Sequence, residues 1–286
     1  MRSLFAGKKP SAKRVACLLF TSVVVVGGMA SSSGMLLGAD SAAGRKAFLE
    51  KDYATAYREW KAAADQGDAN AQFNLGILYA RGLGVHQDIE EAMRLYHLAA
   101  AQGHSQAEYR LGFRYAHGWG VQQDYAEASR WYQMAADQGD GAALTGIASL
   151  YEDGYGVPQD LKKAMHYYRL AAAKGVAEAQ YDLGQILEKG KAGKRDLTEA
   201  FALYKSAAEQ GFAPAQERVG QMYATGAGVT ADASQAYFWS TLAAKQNEKN
   251  AERRLAAMAA RLPGDEASKV KQSATEWKPV VVAAGR

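Results

Sequence analysis

Few side chains in this sequence have both the type and the spacing to do chemistry. The five histidines, His86, His97, His104, His117 and His166, show no H-E-x-x-H or other ligand spacing. Scattered surface or partly packed imidazoles are expected rather than a zinc site. Ser268 and Lys271 form Ser-x-x-Lys, the spacing of some acyl-transfer nucleophiles. The companion motifs are missing, and the short C-terminal helix they fall on makes a poor active-site wall. Adjacent carboxylates such as Glu90-Glu91 and Glu152-Asp153 diverge around a helix and cannot work on one bond. Gly190-Lys191-Ala192-Gly193-Lys194 resembles a phosphate loop, but Glu188 stands at its first glycine position and Arg195 at its Ser/Thr position. It reads instead as a solvated basic turn built on Lys189, Lys191, Lys194 and Arg195, with contact to an anionic polymer or headgroup as the alternative. No catalytic residue, cofactor or metal is expected. A hydrolase is the alternative that Ser268 would serve.

The charge balance separates the leader from the rest of the chain. A pI near 8.9 and a net charge of +4 point at first toward nucleic acid or an anionic membrane. Residues 1–30, however, carry Arg2, Lys8, Lys9, Lys13 and Arg14 with no acidic residue, so without them the net charge is −1. No nucleic-acid partner is therefore expected. Residues 1–30 read as a secretory signal: a basic start, an apolar run from Val15 that includes Val23 to Val26, and small residues at Gly28 and Ala30. The alternative is an uncleaved anchor over 15–37, long enough to span a bilayer. Ser31, Ser32 and Ser33 interrupt that run and favour cleavage, so a membrane enters only if the segment is retained. Cys17 is the only cysteine, and the exported chain would carry no disulfide.

What must position any functional side chain is a repeat. From Ala71 the sequence matches itself every 36 residues, in copies 71–106, 107–142, 143–178, 179–214 and 215–250. Ala71-Gln72-Phe73-Asn74-Leu75-Gly76 reappears from Ala107, and more weakly from Ala143, Ala179 and Ala215. Gly82-Leu83-Gly84-Val85 returns in the second, third and fifth copies, while the fourth reads Gly190-Lys191-Ala192-Gly193. Ala71, Leu75, Leu78 and Tyr79 form one apolar stripe of a first helix, and Ala92, Tyr96, Ala99 and Ala100 one of a second. Gly82 and Gly84 permit the reversal between them. Asp88, Asp124, Asp160, Asp196 and Asp232 start the second helices, and Glu91 follows Asp88 at capping-box spacing. Gly103, Gly139, Gly175 and Gly211 stand where left-handed helix ends are expected. Gly76, Gly112, Gly184 and Gly220 lie inside first helices, a cost of about 0.5–1 kcal/mol each that a closely passing neighbour justifies. Ala99 and Ala100 are the expected neighbours. Residues 31–40 read as a linker, 41–70 as an atypical N-terminal helix pair, and 251–286 as C-terminal capping helices and tail. Trp277 is expected to close the core.

These residues resemble the Sel-one-like repeat family, a branch of the tetratricopeptide-like solenoids. The second copy carries its full pattern in Ala107, Leu111, Gly112, Tyr115, Gly118, Gly120, Val121, Asp124, Ala128, Trp131, Tyr132, Ala135, Ala136, Gln138 and Gly139. The resemblance spans about residues 45 to 260. It implies an all-α, right-handed α-solenoid of antiparallel helix pairs, used as an adaptor or scaffold, often in bacterial envelope and secretion contexts. With the leader, it points to the periplasm or secretion, the alternative being an inner-membrane anchored protein facing the periplasm. Some cysteine-rich members are linked with β-lactam binding or hydrolysis, but the regular cysteine pairs they carry are missing here.

Comparison between copies locates a candidate face. Positions shared by all copies serve the fold, whereas positions that differ are idle surface or recognition surface. On the first helices the varying positions fall at i, i+3 and i+7, on one face, and in such solenoids the first helices line the concave side. The candidates for holding a protein or peptide partner are Asn74, Arg81, Arg110, Phe113, Arg114, His117, Asp182, Gln185, Arg218 and Gln221. Phe113 with its flanking Arg and His residues is the leading anchor, since aromatic and Arg side chains dominate hot spots. Ordinary solvated surface is the competing reading. An exported adaptor is the expected function, with an envelope hydrolase or a membrane-tethered assembly or regulatory factor as alternatives.

Overall fold

The computed structural model describes residues 41–245 and 251–280, all within one unit running from Gly38 to Arg286. The expected leader, its anchor alternative and the linker lie outside the described residues. Every regular element described is an α-helix. α1 (Ser41–Leu49) and α2 (Tyr53–Asp65) precede five pairs: α3 (Ala69–Arg81) with α4 (Ile89–Ala100), α5 (Ser105–His117) with α6 (Tyr125–Asp137), α7 (Gly141–Asp153) with α8 (Leu161–Ala173), α9 (Ala177–Lys189) with α10 (Leu197–Glu209), and α11 (Ala213–Thr225) with α12 (Ala233–Ala244). α13 (Ala251–Ala259) and α14 (Glu266–Glu276) follow. Each pair packs internally and then against the next, the arrangement of an α-solenoid. No described helix is long and apolar enough to cross a membrane.

The same local chemistry turns the chain in every copy. Gly82 ends α3 in the left-handed region at φ 65°, and Asp88 then caps α4 by accepting the Glu91 N–H at 2.9 Å. Asp124, Asp160, Asp196 and Asp232 cap α6, α8, α10 and α12 likewise. The capping-box expectation is corrected at its other half. The Asp88 N–H donates to the Tyr79 carbonyl at 3.0 Å, while the Glu91 carboxylate receives a two-bond fork from Arg94. The turn thus ties its own two helices together, and Asp124, Asp160, Asp196 and Asp232 repeat that backbone bond. Gln87, Gln123 and Gln159 add a side-chain bond to the carbonyls of Ala80, Ala116 and Glu152, which satisfies an orphan acceptor at the helix end. Gly84 meets the preceding unit: a Cβ there would stand 2.8 Å from the Tyr53 backbone.

The glycine inside the first helix answers to a ring. A Cβ on Gly76 would lie 2.7 Å from Tyr96, and Gly112 and Gly184 face Tyr132 and Tyr204 in the same way. The close neighbour is therefore the second-helix tyrosine, not Ala99 and Ala100, which are buried elsewhere in the core. Burying an aromatic of this size offsets the helix cost of the glycine several-fold. In the fifth copy Ser240 replaces the tyrosine, and its hydroxyl and the Ala236 carbonyl approach Gly220 instead. A polar clip joins pair ends: Gln102 donates to Gln72 at 2.8 Å, Gln138 to Glu108 at 2.7 Å and Gln210 to Gln180 at 2.9 Å. At the C-terminal end, Trp277 packs edge-on to Trp239 with ring centroids 6.3 Å apart. The Val280 N–H then donates to the Glu209 carbonyl at 2.8 Å.

Candidate functional site

One groove opens on the first-helix side of the fourth and fifth copies. It has a volume of about 630 Å³ and lies between α9 and α11. α9 contributes Tyr181, Gln185, Glu188 and Lys189, the following turn Arg195, and α11 Pro214, Glu217, Arg218 and Gln221. Tyr204 of α10 forms part of the floor, packed against Tyr181 at 5.4 Å, and Tyr181 in turn meets Phe212 edge-on at 5.4 Å.

A single hydrogen-bonded chain organises the polar groups. The Tyr204 hydroxyl donates to Glu188 Oε2 at 2.9 Å, and Arg218 Nε donates to the same oxygen at 3.0 Å. A second Arg218 nitrogen pairs with Glu188 Oε1. Arg218 then donates to the Gln221 side-chain carbonyl at 2.6 Å, and the Gln221 amide donates to Glu217 at 2.9 Å. Burial, with Tyr181 and Asp182 nearby, pushes the Tyr204 phenol far above its ordinary range, so it stays a donor.

Repeat position explains how the chain arises. The place held by Glu188 is Ala80, Ala116 and Ala224 in three other copies, and Glu152 in the third. A core tyrosine needs a partner for its hydroxyl when buried, and the carboxylate at this position supplies one. In the third copy Glu152 takes the Tyr168 hydroxyl at 3.1 Å and the Lys191 ammonium at 2.7 Å. Each glutamate therefore joins its own second helix to a cation from the next copy. Lys191 comes from a turn, whereas Arg218 comes from a first helix and lines the groove.

The sequence candidates divide three ways. Gln185, Arg218 and Gln221 line the groove, and Asp182 sits one turn before Gln185 on α9, half-buried. Arg110, Phe113, Arg114 and His117 lie on α5, apart from it. Phe113 is half-buried, stacked on His117 at 4.2 Å and edge-on to Trp119 at 5.1 Å. The exposed ring of that cluster is Trp119, at 41%. His117 Nδ1 lies 2.8 Å from the Phe113 carbonyl. Arg114 donates to the Trp119 carbonyl at 2.9 Å and places its guanidinium 5.7 Å from the Tyr96 ring, back toward the preceding copy. Asn74 and Arg81 stand on α3, half-buried and exposed respectively, and join neither group. Sequence comparison missed Glu188, Tyr181, Pro214, Glu217 and Trp119. The available signal for Glu188 was a charged residue at a position that is otherwise alanine. Ser268 and Lys271 are exposed on α14. Among the described residues, no three His, Cys, Asp or Glu side chains gather as a metal site.

Comparison with known proteins agrees with this architecture. A family model described as Sel1 repeat matches residues 69–104, 105–140, 141–176, 177–212 and 213–248. The crystal structure of a Sel1 repeat protein from Oxalobacter formigenes is 30% identical, with a TM-score of 0.70 over 82% of this chain and 95% of that one. A protective antigen of uropathogenic Escherichia coli displaying an SLR fold is also 30% identical, over 82% of this chain and 59% of its own, with a TM-score of 0.43. A Pseudomonas aeruginosa protein, PA5086, is 20% identical over 77% and 88% of the two chains, with a TM-score of 0.50, a likeness of fold alone. Comparison with curated proteins finds no match.

Proposed function

The chain belongs to the Sel1 repeat family, and from that premise we propose that it is an exported, non-enzymatic adaptor holding a protein or peptide partner in the groove between α9 and α11. One observation carries the reading: Tyr204, Glu188, Arg218, Gln221 and Glu217 form a continuous bonded chain across an open groove. Side chains fixed this way lose little freedom when a ligand arrives, which lowers the entropic cost of binding. Arg218 and Gln221 also stand at positions that vary between copies, where selection for the fold does not dictate the residue. The export half of the proposal rests on the residue 1–30 leader, and a mature N-terminus at Ser31 is its expected outcome. Retention of that leader would favour a membrane-tethered factor instead. The binding half is tested by crosslinking and pulldown from the native envelope, comparing the wild type with Arg218→Ala/Gln221→Ala. A partner lost from the variant, with its helicity intact by circular dichroism, supports the groove. Equal recovery of every partner would sink it.

A further inference from the structure

We propose that the groove between α9 and α11 recognises an extended peptide segment carrying carboxylates around an apolar residue, received by Lys189 and Arg195. This rests on the adaptor reading above and names the chemistry of the partner. The carboxylates lining the groove are already matched inside the protein. Glu188 is held by Tyr204 and Arg218, and Glu217 receives the Gln221 amide. Beyond Arg218, its other two cations are not matched in this way. Lys189 and Arg195 are exposed at one rim, and neither belongs to an ion pair among the described residues. Arg195 donates Nε to the Glu188 carbonyl at 2.7 Å, which moors its guanidinium at the mouth. Both side chains are donor-only, so a complementary ligand must supply acceptors and negative charge. Tyr181 and Pro214, both half-buried, offer apolar surface in the same groove.

The basic turn after α9 is thus not uniform. Lys191 is engaged by Glu152, which is only 4% exposed, and holds two copies together. Lys189 and Arg195 are the cations that face the groove. A phosphate polymer, charged at every residue, fits this arrangement poorly, because the groove offers only Lys189 and Arg195 as unmatched cations and the chain beyond residue 30 has a net charge of −1. A concave pocket of about 630 Å³ does not match a flat bilayer either.

The test uses the purified protein and fluorescein-labelled decapeptides in three matched series: Asp/Glu flanking Leu, Asn/Gln flanking Leu, and Lys flanking Leu. Anisotropy is expected to show the acidic series binding at least about tenfold tighter than the amide series, the value of one charge-assisted contact. That preference should shrink about tenfold from 0.1 to 1 M salt, as the Debye length falls from about 10 to 3 Å. Lys189→Glu, at an exposed position, should turn the preference toward the Lys series, which a purely structural lysine would not do. Arg195→Ala should weaken acidic peptides about tenfold, and Lys162→Ala, at an exposed lysine on α8, should leave them unchanged. Equal binding of acidic and amide peptides would overturn the inference and leave the adaptor reading standing. So would tighter binding to a single-stranded oligonucleotide or to phosphatidylglycerol vesicles. If no peptide series binds while envelope crosslinking still recovers a partner, this inference alone fails. If neither gives a partner, the adaptor reading fails with it.

Discussion

The α5 face and the α9–α11 groove occupy equivalent places in a 36-residue repeat and have opposite surfaces. Phe113, Gln185 and Gln221 stand at one repeat position, as do Arg110, Asp182 and Arg218. On α5 the position holds a ring, which His117 and Trp119 cover by stacking and edge contact, so the surface closes on itself. On α9 and α11 it holds amides, and the neighbouring alanine is replaced by Glu188, which draws Arg218 across. Backbone geometry is common to both. What differs is whether side chains bury one another or are held apart by hydrogen bonds, and a polar chain fixed at both ends leaves an open groove.

Substitutions can break or sharpen that contrast. The largest effect is common to both regions: Tyr132→Ala and Tyr204→Ala each remove a buried ring, and equilibrium urea unfolding should show a loss of about 3–5 kcal/mol in either case. Exchanging the marker residue should separate them. Ala116→Glu puts a carboxylate at a site only 7% exposed, and a loss of about 3 kcal/mol is expected. Glu188→Ala leaves Arg218, whose side chain is 34% exposed, able to turn to water, so about 1–2 kcal/mol is expected. A larger loss for Glu188→Ala than for Ala116→Glu would refute the account of the two faces. Smaller still is the hydroxyl test. Tyr204→Phe should lose about 1 kcal/mol by removing the bond to Glu188. Tyr132→Phe should be close to neutral, since no hydrogen bond to its hydroxyl is found among the described residues.

A local effect, confined to one helix end, depends on pH. His104 caps α5, its Nδ1 accepting the Ala107 N–H at 3.2 Å, which requires a neutral ring. Burial lowers its pKa from the ordinary 6.5, against a weaker opposing pull from its backbone hydrogen bond and Asp68. The unfolded chain therefore binds the proton more readily, and stability present above pH 6.5 is lost as the pH falls through the lowered folded value. Amide exchange in α5 should quicken over that window by up to about 1 kcal/mol of local stability. α9 and α11, which start at Val176 and Phe212 without a side-chain cap, should not follow it. His104→Asp, the residue that caps α3 and α7 as Asp68 and Asp140, should remove the dependence.

Much of the scaffold was legible because its causes are local. Asp at the start of each second helix and Gly at the end of each first helix act through bonds within a few residues, so they repeat with the period and can be read directly. Misreadings arose where a bond left that range. Glu91 at capping-box spacing turned to Arg94, because the Asp88 N–H had a better acceptor in Tyr79 across the turn. The buried glycines signalled a close neighbour, but that neighbour was the ring of Tyr96, which only the packing of the pair decided.

By itself, then, the sequence determined the helix pairs, their 36-residue phase, their caps and the family, since periodic burial and capping are written in residue type and spacing. Tertiary structure alone decided the site. Glu188 lies 30 residues from Arg218, and only the stacking of one helix pair on the next brings them within hydrogen-bond reach. Phe113 meets His117 and Trp119 within its own helix and turn, whereas the stacking of successive pairs leaves Gln185 and Gln221 lining the groove. Varying positions told where recognition was permitted. Which of them stay open depends on how neighbouring copies fill or leave the space between them, a property of contacts made in three dimensions.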